Sequence, residues 1–359
     1  MSSIFKNRLN NLYNDIVKHD LHGLYITNLT NIRYLTGFTG SAAILIVLKE
    51  SSYFFTDGRY IQQSKEQVNN ANVTIISTSY FDSINRCNIF NEKSRIGFES
   101  DHMSYSYYDS MINQFPNIDW ISTNSIIENL AAVKDSEEIS SLQTAIDITD
   151  NVFKKIIPEI KVGVTEKYIS TRISYLFKMN GADGDSYESI IAGGPRSALP
   201  HARPTERKFQ KGDFIVMDFG ALYNGYHADM TRTLVVGKPS TKHTEIYNIV
   251  LESHLNGIKT ARSDIPCSQV DNACRSIIDQ SGYGEMFTHS TGHGIGLEVH
   301  TLPRIHKNNH ELLKKNHVIT IESGIYIPDW GGVRIEDDCL ILDSSCQPLN
   351  KSTKELIVV

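Results

Sequence analysis

The stretch Met217–Leu234, MDFGALYNGYHADMTRTL, constrains this chain more than any other, because it forces two aspartates into one small space. Apolar segments flank it, Phe214-Ile215-Val216 before and Leu234-Val235-Val236 after, and Asn224-Gly225 between them is the dipeptide best suited to a two-residue type I′ turn. With that turn Tyr223 pairs with Tyr226, and counting back along the ladder sets Asp218 opposite Thr231. Asp229 then projects from the same face as a diagonal neighbour of Asp218. Carboxylates so placed repel unless a cation lies between them or one takes a proton. A metal is the better remedy here, because further ligand types follow downstream.

The run Gly292-His293-Gly294-Ile295-Gly296 sets a histidine between glycines, which let a backbone approach a ligand closely. It lacks the G-x-G-x-x-G spacing and the β-α-β setting of a dinucleotide loop. Glu322 closes the predicted strand Val318–Ile321, on the face of Thr320 and Val318, and Glu336 shares a face with Arg334. Alone, each glutamate reads as a solvated surface charge and His293 is as well explained as structural. Yet both glutamates interrupt otherwise apolar strands, and a buried carboxylate needs a partner. Together Asp218, Asp229, His293, Glu322 and Glu336 offer carboxylates and one imidazole, a set suited to Mn²⁺, Co²⁺, Fe²⁺ or Zn²⁺ and not to a thiolate site. Five ligands exceed what one tetrahedral ion uses. Two ions about 3.5–4 Å apart, bridged by carboxylates, would use them all and supply a nucleophile at neutral pH. Hydrolysis is the reaction class implied.

Composition narrows the remaining classes. The chain has 359 residues, room for two domains, with 40% hydrophobic and 21% charged residues as in an ordinary globular protein. Against 35 Lys and Arg stand 41 Asp and Glu, a net charge of −6 with no basic patch, which excludes nucleic acid as a partner. The first twenty residues show no apolar signal core, and no stretch approaches the roughly 18 apolar residues of a membrane span, so a cytoplasmic setting is expected. The 5 cysteines are an odd count with no C-x-x-C pair, which suits reduced thiols. Cys267 and Cys274 fall on a predicted helix facing a core, and no cysteine nucleophile is expected.

Periodicity predicts a helix over 4–17, from Ile4, Leu9, Leu12 and Ile16. Strands over 24–26, 42–48, 53–56, 73–76 and 96–98 then alternate with helices over 59–68 and 105–115, an α/β domain covering 1–130. Near Asp135 the pattern changes: Asp135 and Glu138 make a capping box before a long helix, and Thr165 is a helix N-cap. Helices over 243–261 and 268–280 precede strands over 318–321 and 333–342. Residues 131–359 therefore read as an α+β domain with helices segregated from a largely antiparallel sheet.

The motifs D-F-G-x-x-Y-x-G-Y-x-x-D-M-T-R-T, G-H-G-I-G-x-x-V-H, I-E-S-G and R-I-E-D resemble those of the creatinase/aminopeptidase P/prolidase metallopeptidases, whose catalytic domain has the pita-bread fold. Asn31–Ser41 and Thr56-Asp57-Gly58-Arg59-Tyr60 resemble the N-terminal domain of the Xaa-Pro enzymes. The resemblance implies two divalent ions per chain, Mn²⁺ first and Co²⁺, Zn²⁺ or Fe²⁺ as alternatives. Asp229 and Glu336 would bridge them, Asp218 would bind one ion, and His293 with Glu322 the other. It further implies that Glu322 moves a proton and that His201, in Pro200-His201-Ala202-Arg203-Pro204, faces the substrate. His289 and His300 match the family's supporting and substrate-contacting histidines, and Arg334 its arginine beside Glu336. The implied substrates are peptides with proline second, and the implied assembly is a homodimer. The expected activity is that of an Xaa-Pro aminopeptidase, because Arg33–Ser41, R-Y-L-T-G-F-T-G-S, looks like that branch. An Xaa-Pro dipeptidase is the alternative, and a catalytically silent binding or chaperone-like relative a further one. Two positions depart from the family pattern: Thr301 stands where it has a glutamate beside the histidine, and Ser323 where it has proline. Thr301 is expected to change how His300 is held, and Ser323 to loosen one backbone position.

Overall fold

The computed structural model describes residues 2–359, with side chains from residue 4 onward. Two compact units divide the chain after Ala131.

The first unit is a six-stranded sheet with helices. Its strands are β1 (Gly23–Ile26), β2 (Ile44–Leu48), β3 (Ser52–Thr56), β4 (Asn72–Ile75), β5 (Arg95–Glu99) and β6 (Asp119–Thr123), in the order β4-β3-β2-β1-β5-β6. β1, β5 and β6 run parallel, as do β3 and β4, while β2 is antiparallel to both its neighbours. Tyr25, Ile46, Phe55, Ile96 and Phe98 build the core under it. The helices are α1 (Ser2–Lys18), α2 (Leu29–Thr36), α3 (Ile61–Gln67), α4 (Tyr80–Cys87) and α5 (Tyr105–Gln114), and α6 (Ile126–Ala132) carries the chain across the division. The sequence reading lacked α2, α4 and β6. The two helices span only 8 residues each, too short to show an amphipathic period, and are set by their caps. The Asn28 side chain accepts from Thr30 N at the start of α2, and Gly37, at φ 79°, ends it. β6, sequence DWIST, is a sheet edge with no buried residue and so has no apolar alternation.

The second unit contains α7 (Ser136–Ile156), α8 (Glu166–Met179), α9 (Thr241–Thr260) and α10 (Cys267–Gln280). α7 begins with the capping box of Asp135 and Glu138, and α8 with the Thr165 N-cap. Twelve strands follow the chain: β7 (Gly184–Asp185), β8 (Ile190–Gly193), β9 (Phe214–Phe219), β10 (Ala221–Tyr223), β11 (Tyr226–His227), β12 (Met230–Val235), β13 (Gly292–Gly294), β14 (Thr301–Ile305), β15 (Val318–Ile327), β16 (Gly331–Ile341), β17 (Cys346–Pro348) and β18 (Ile357–Val358). They form three sheets, β11-β10-β7, β18-β12-β9-β8 and β14-β13-β15-β16-β17, antiparallel apart from the β12–β18 pair. α9 and α10 cover the five-stranded sheet through Val250, Val270, Cys274, Ile319 and Ile335. Phe153 of α7 and Ile169 and Phe177 of α8 pack on Met217 and Phe219 of the four-stranded sheet. With helices on these faces, the opposite faces turn toward one another and carry the polar site. This is the pita-bread arrangement.

Hydroxyls join the two larger sheets. Thr233 Oγ1 of β12 donates to Arg334 O (2.9 Å) and accepts from Arg334 N (3.0 Å), while Thr231 Oγ1 donates to Glu336 Oε2 (2.6 Å). In the hairpin, Asn224 and Gly225 both take positive φ, 48° and 72°, and Tyr223 pairs with Tyr226 and Asp218 with Thr231. Gly220 lies between them at a close crossing, where a Cβ would meet Ala228 O at 1.7 Å.

Glu322 does not end its strand. β15 runs on to Ile327, so the glutamate sits in mid-strand, where the glycine-containing S-G-I-Y stretch hides the alternation. Ser323 does not loosen the backbone either: its hydroxyl lies 2.8 Å from Ser253 Oγ on α9, which in turn donates to Cys274 O. No helix among the described residues is long and apolar enough to cross a membrane.

Buried His317, just before β15, accepts Lys314 N at its Nδ1 (3.2 Å). Burial, followed by the charges of Lys134 and Lys314, pulls its pKa down to about 3. The unfolded chain takes up this proton near pH 6.5 and the folded chain near 3, so stability falls as pH drops through that window. His317→Asn, which keeps an acceptor for Lys314 N, should lose less stability than wild type between pH 7 and 4.5, by about 2 kcal/mol. Urea midpoints of both proteins in chelator test this, and parallel losses would dismiss it.

Candidate active site

A cavity of about 400 Å³ in the second unit is lined by Asp218, Asp229, His293, Glu322, Glu336, His201, His289, His300 and Arg334, every site residue expected from the sequence. Asp218 comes from β9, Asp229 from the residue before β12, His293 from β13, and Glu322 and Glu336 from directly opposed positions of β15 and β16. Like charges so opposed are unfavourable by themselves. Asp229, His293 and Glu336 bring one ligand atom each to within 4.8 Å of one another.

The environment of these groups fits a cation. His293 Nδ1 lies 3.0 Å from Gly294 O, which can only accept, so Nδ1 carries the proton and the Nε2 lone pair points into the cluster. There Nε2 meets Glu322 Oε1 at 3.5 Å and Asp229 Oδ2 at 3.8 Å. Burial holds the His293 pKa down at about 3, so the ring is neutral and its Nε2 lone pair faces carboxyl oxygens. Burial and the neighbouring carboxylates push Asp229 and Glu336 well above the usual carboxylate range, and burial raises Glu322 to about 7 against the pull of Arg334. A divalent ion relieves this repulsion, and an O/N donor set of this kind suits first-row metals.

Around the cluster is a set of fixed donors. Tyr187, absent from the sequence reading, directs its hydroxyl at Asp218 Oδ1 (2.5 Å) and at Asp229 Oδ1. Arg334 Nη2 donates to Asp218 Oδ2 (2.5 Å), its Nε to Thr231 Oγ1 (3.0 Å), and its Nη1 to the Tyr326 hydroxyl (2.7 Å). Behind β16, the buried Arg232 guanidinium donates to Glu336 O (2.6 Å) and Asp337 Oδ1 (2.7 Å), which fixes the strand backbone at the glutamate. Asp229 N donates to Asp338 Oδ2 (2.9 Å). Tyr326 had a signal in the sequence, two and four positions along one strand face from Gly324 and Glu322. Tyr187 had none, since it lies between short strands with no period.

The histidines divide by exposure. His201 and His300 lie exposed on the rim, whereas His289 sits deeper with its pKa lowered to about 4, by burial first and then by Arg334. The His300 ring packs edge-on against His293 with centroids 4.3 Å apart. Its pKa is lowered by partial burial and then by Arg304. Thr301 Oγ1 donates to Leu302 O (3.3 Å), so its hydroxyl is turned to the backbone and not to His300. Arg304, also missed from the sequence, lines the cavity from β14, where it pairs across the ladder with His293. Its guanidinium is exposed and makes no salt bridge among the described residues, although its charge acts on Glu322.

Residues 140–343 match metallopeptidase family M24, and residues 8–133 match the creatinase/prolidase N-terminal domain. The chain is similar to the Xaa-Pro dipeptidase of Pyrococcus furiosus, 36% identical over 98% of this chain and 100% of that protein. Among solved structures it resembles an Xaa-Pro dipeptidase from Bacillus anthracis, with TM-score 0.94 and 36% identity over 99% of this chain and 100% of the other. It also resembles an X-Pro aminopeptidase from Thermotoga maritima, with TM-score 0.89 and 33% identity over 98% and 99%.

The crowding of carboxylates makes a test that needs no substrate. Glu336→Gln keeps the shape and the bond to Thr231 but removes one charge. In chelator it should melt at or above the wild-type temperature, because a buried repulsion is gone. Added Mn²⁺ should raise the wild-type melting temperature by several degrees and the variant's by much less. Equal metal-induced shifts would show that Glu336 is not a ligand.

Proposed function

This chain is a member of metallopeptidase family M24, and from that membership and the acidic cavity we propose that it is a two-metal exopeptidase hydrolysing Xaa-Pro dipeptides. Arg304 carries the choice of dipeptide. An unpaired guanidinium on the cavity wall matches a carboxylate in a bidentate way, and in Xaa-Pro the free carboxylate sits one residue beyond the bond to be cut. In a longer peptide that place holds an amide. The names of the relatives support this reading better than the aminopeptidase suggested by Arg33–Ser41. The aminopeptidase remains the second reading, supported by the likeness to the Thermotoga maritima enzyme.

In this reading Asp218, Asp229, His293, Glu322 and Glu336 hold two divalent ions, Mn²⁺ first, with Co²⁺, Zn²⁺ or Fe²⁺ as alternatives. Such ions supply an activated water and polarise the scissile carbonyl. The protein does the rest. The scissile bond is a tertiary amide without an N–H, so substrate is selected by shape and by its two charged ends. The cavity-facing Glu322 carboxyl can take a proton and deliver it to the proline nitrogen, which must gain one to leave as an amine. His300, kept neutral by its lowered pKa, donates to the developing oxyanion from the rim, and His201 orients the downstream part of the substrate. His289 and Arg334 act from behind, Arg334 by holding Asp218. A homodimer in the cytoplasm completes the reading, the setting supported by free thiols at Cys267, Cys274 and Cys339.

The deciding experiment incubates Mn²⁺-loaded protein with Ala-Pro, Ala-Pro-Ala and Ala-Ala and follows the products by mass spectrometry. Ala-Pro should be cleaved at least tenfold more efficiently than the tripeptide. Arg304→Ala should raise KM for Ala-Pro roughly 10- to 100-fold, the cost of a lost charge-assisted bond, with little effect on the tripeptide. A preference for Ala-Pro-Ala would replace the dipeptidase by the aminopeptidase. No turnover of any Xaa-Pro peptide by metal-loaded protein would remove the peptidase reading.

A further inference from the structure

The segment 287–291 brings His289 to the site, and what holds it lies outside the cavity. Asp271 and Arg275 stand one turn apart on α10, the carboxylate fully buried, joined by two bonds of 3.0 Å, Nε to Oδ2 and Nη2 to Oδ1. The guanidinium also reaches the segment, with Nη1 donating to Phe287 O (2.9 Å) and Nη2 to His289 O (3.0 Å). Its carbon lies 4.3 Å from the Phe287 ring centroid, and Asp271 Oδ1 accepts from Thr291 Oγ1 (2.8 Å). One helical turn thus clamps three alternate residues of the segment.

From the clamp two connections enter the site. Thr291 O accepts from Glu322 N at 2.8 Å. His289 Nδ1 lies 2.8 Å from Ser290 O, a pure acceptor, so Nδ1 bears the proton and Nε2 accepts from the Tyr326 hydroxyl at 2.8 Å. The Tyr326 oxygen accepts from Arg334, which in turn holds Asp218. Every bond in this chain has a fixed direction. A His289 ring turned over would leave the Tyr326 proton without its acceptor, while Arg334 kept its bonds to Asp218 and Thr231.

We propose that Asp271 and Arg275 are positioning residues: by clamping 287–291 they hold His289 in its Nδ1–H form and, through Tyr326 and Arg334, keep the Asp218 carboxylate aimed into the metal cluster. This rests on the metallopeptidase reading of the cavity. Neither residue lines the cavity, so neither touches substrate. A pair serving only the stability of α10 has no need of the two carbonyls of the segment.

The test compares wild type with Arg275→Met, Arg275→Lys and Asp271→Asn. Histidine-¹⁵N spectra of Zn²⁺-loaded protein, with the His289 signals assigned through His289→Gln, report the tautomer. Calorimetry reports Mn²⁺ affinity, and Ala-Pro hydrolysis reports kcat and KM. Wild type should show a single Nδ1–H form. Arg275→Met and Asp271→Asn should show tautomer averaging at His289, Mn²⁺ affinity at least tenfold weaker, and kcat at least tenfold lower with KM within threefold; Arg275→Lys should recover part of each. Wild-type His289 signals and wild-type Mn²⁺ affinity in a folded variant would overturn the proposal, whatever its melting temperature. If Arg275→Met does not fold, the near-isosteric Asp271→Asn and the charge-keeping Arg275→Lys decide between the same two outcomes. If metal-loaded wild type cleaves no Xaa-Pro peptide, the peptidase reading falls, and the His289 signals with Mn²⁺ affinity still decide the clamp.

Discussion

Four carboxylates share one partly closed space, and the second unit is arranged around their mutual repulsion. Asp218, Asp229, Glu322 and Glu336 come from four separate backbone positions, with Arg334 the cation bonded into the group. One guanidinium cannot neutralise four charges, and burial makes the remainder strongly unfavourable. Protons on some of the carboxyls or bound cations relieve it, and this imbalance of charge is what makes the cavity a candidate metal site. The fixed tautomer of His293 adds a neutral donor aimed at the same place.

Holding such groups apart at defined distances takes a rigid frame, and two features supply it. Thr231 and Thr233 join the four- and five-stranded sheets through side-chain hydroxyls, so β12 and β16 stay in register without a continuous ladder. Arg232, almost wholly buried, donates to the Glu336 carbonyl and to the backbone of Ser352 and Thr353, which ties the C-terminal segment to the back of the metal strand. In the motif D-M-T-R-T the aspartate thus faces the cluster, the threonines join the sheets, and the arginine anchors the strand from behind. A pattern readable as one motif is three separate physical tasks.

The rim obeys a different logic. His201, His300 and Arg304 are exposed, carry no strong bonds to the frame among the described residues, and line the cavity. Arg304 is the cation among them, without a salt bridge among the described residues and with its charge acting on Glu322. The departure at Thr301 is absorbed by the backbone, and that at Ser323 becomes a bond to α9. Neither alters the candidate ligand set.

What the sequence determined alone was local. The Asn224-Gly225 turn and the period of two fix the hairpin, so Asp218 faces Thr231 and Asp229 lies beside it. The Asp135 box, the Thr165 cap and the burial of Cys267 and Cys274 follow equally from neighbouring residues. Local pattern also marked His293, Glu322 and Glu336 as candidates, the resemblance of motifs supplied His201, His289, His300 and Arg334, and all line one cavity. Tertiary structure decided what no local period encodes. It set Glu322 opposite Glu336 within a strand longer than its alternation suggested, and it brought Tyr187 from a strandless stretch onto both aspartates. It also left Arg304 facing the cavity with no salt bridge among the described residues. These depend on pairing between segments distant in the chain, where the free energy lies in contacts that exist only once the sheets have met.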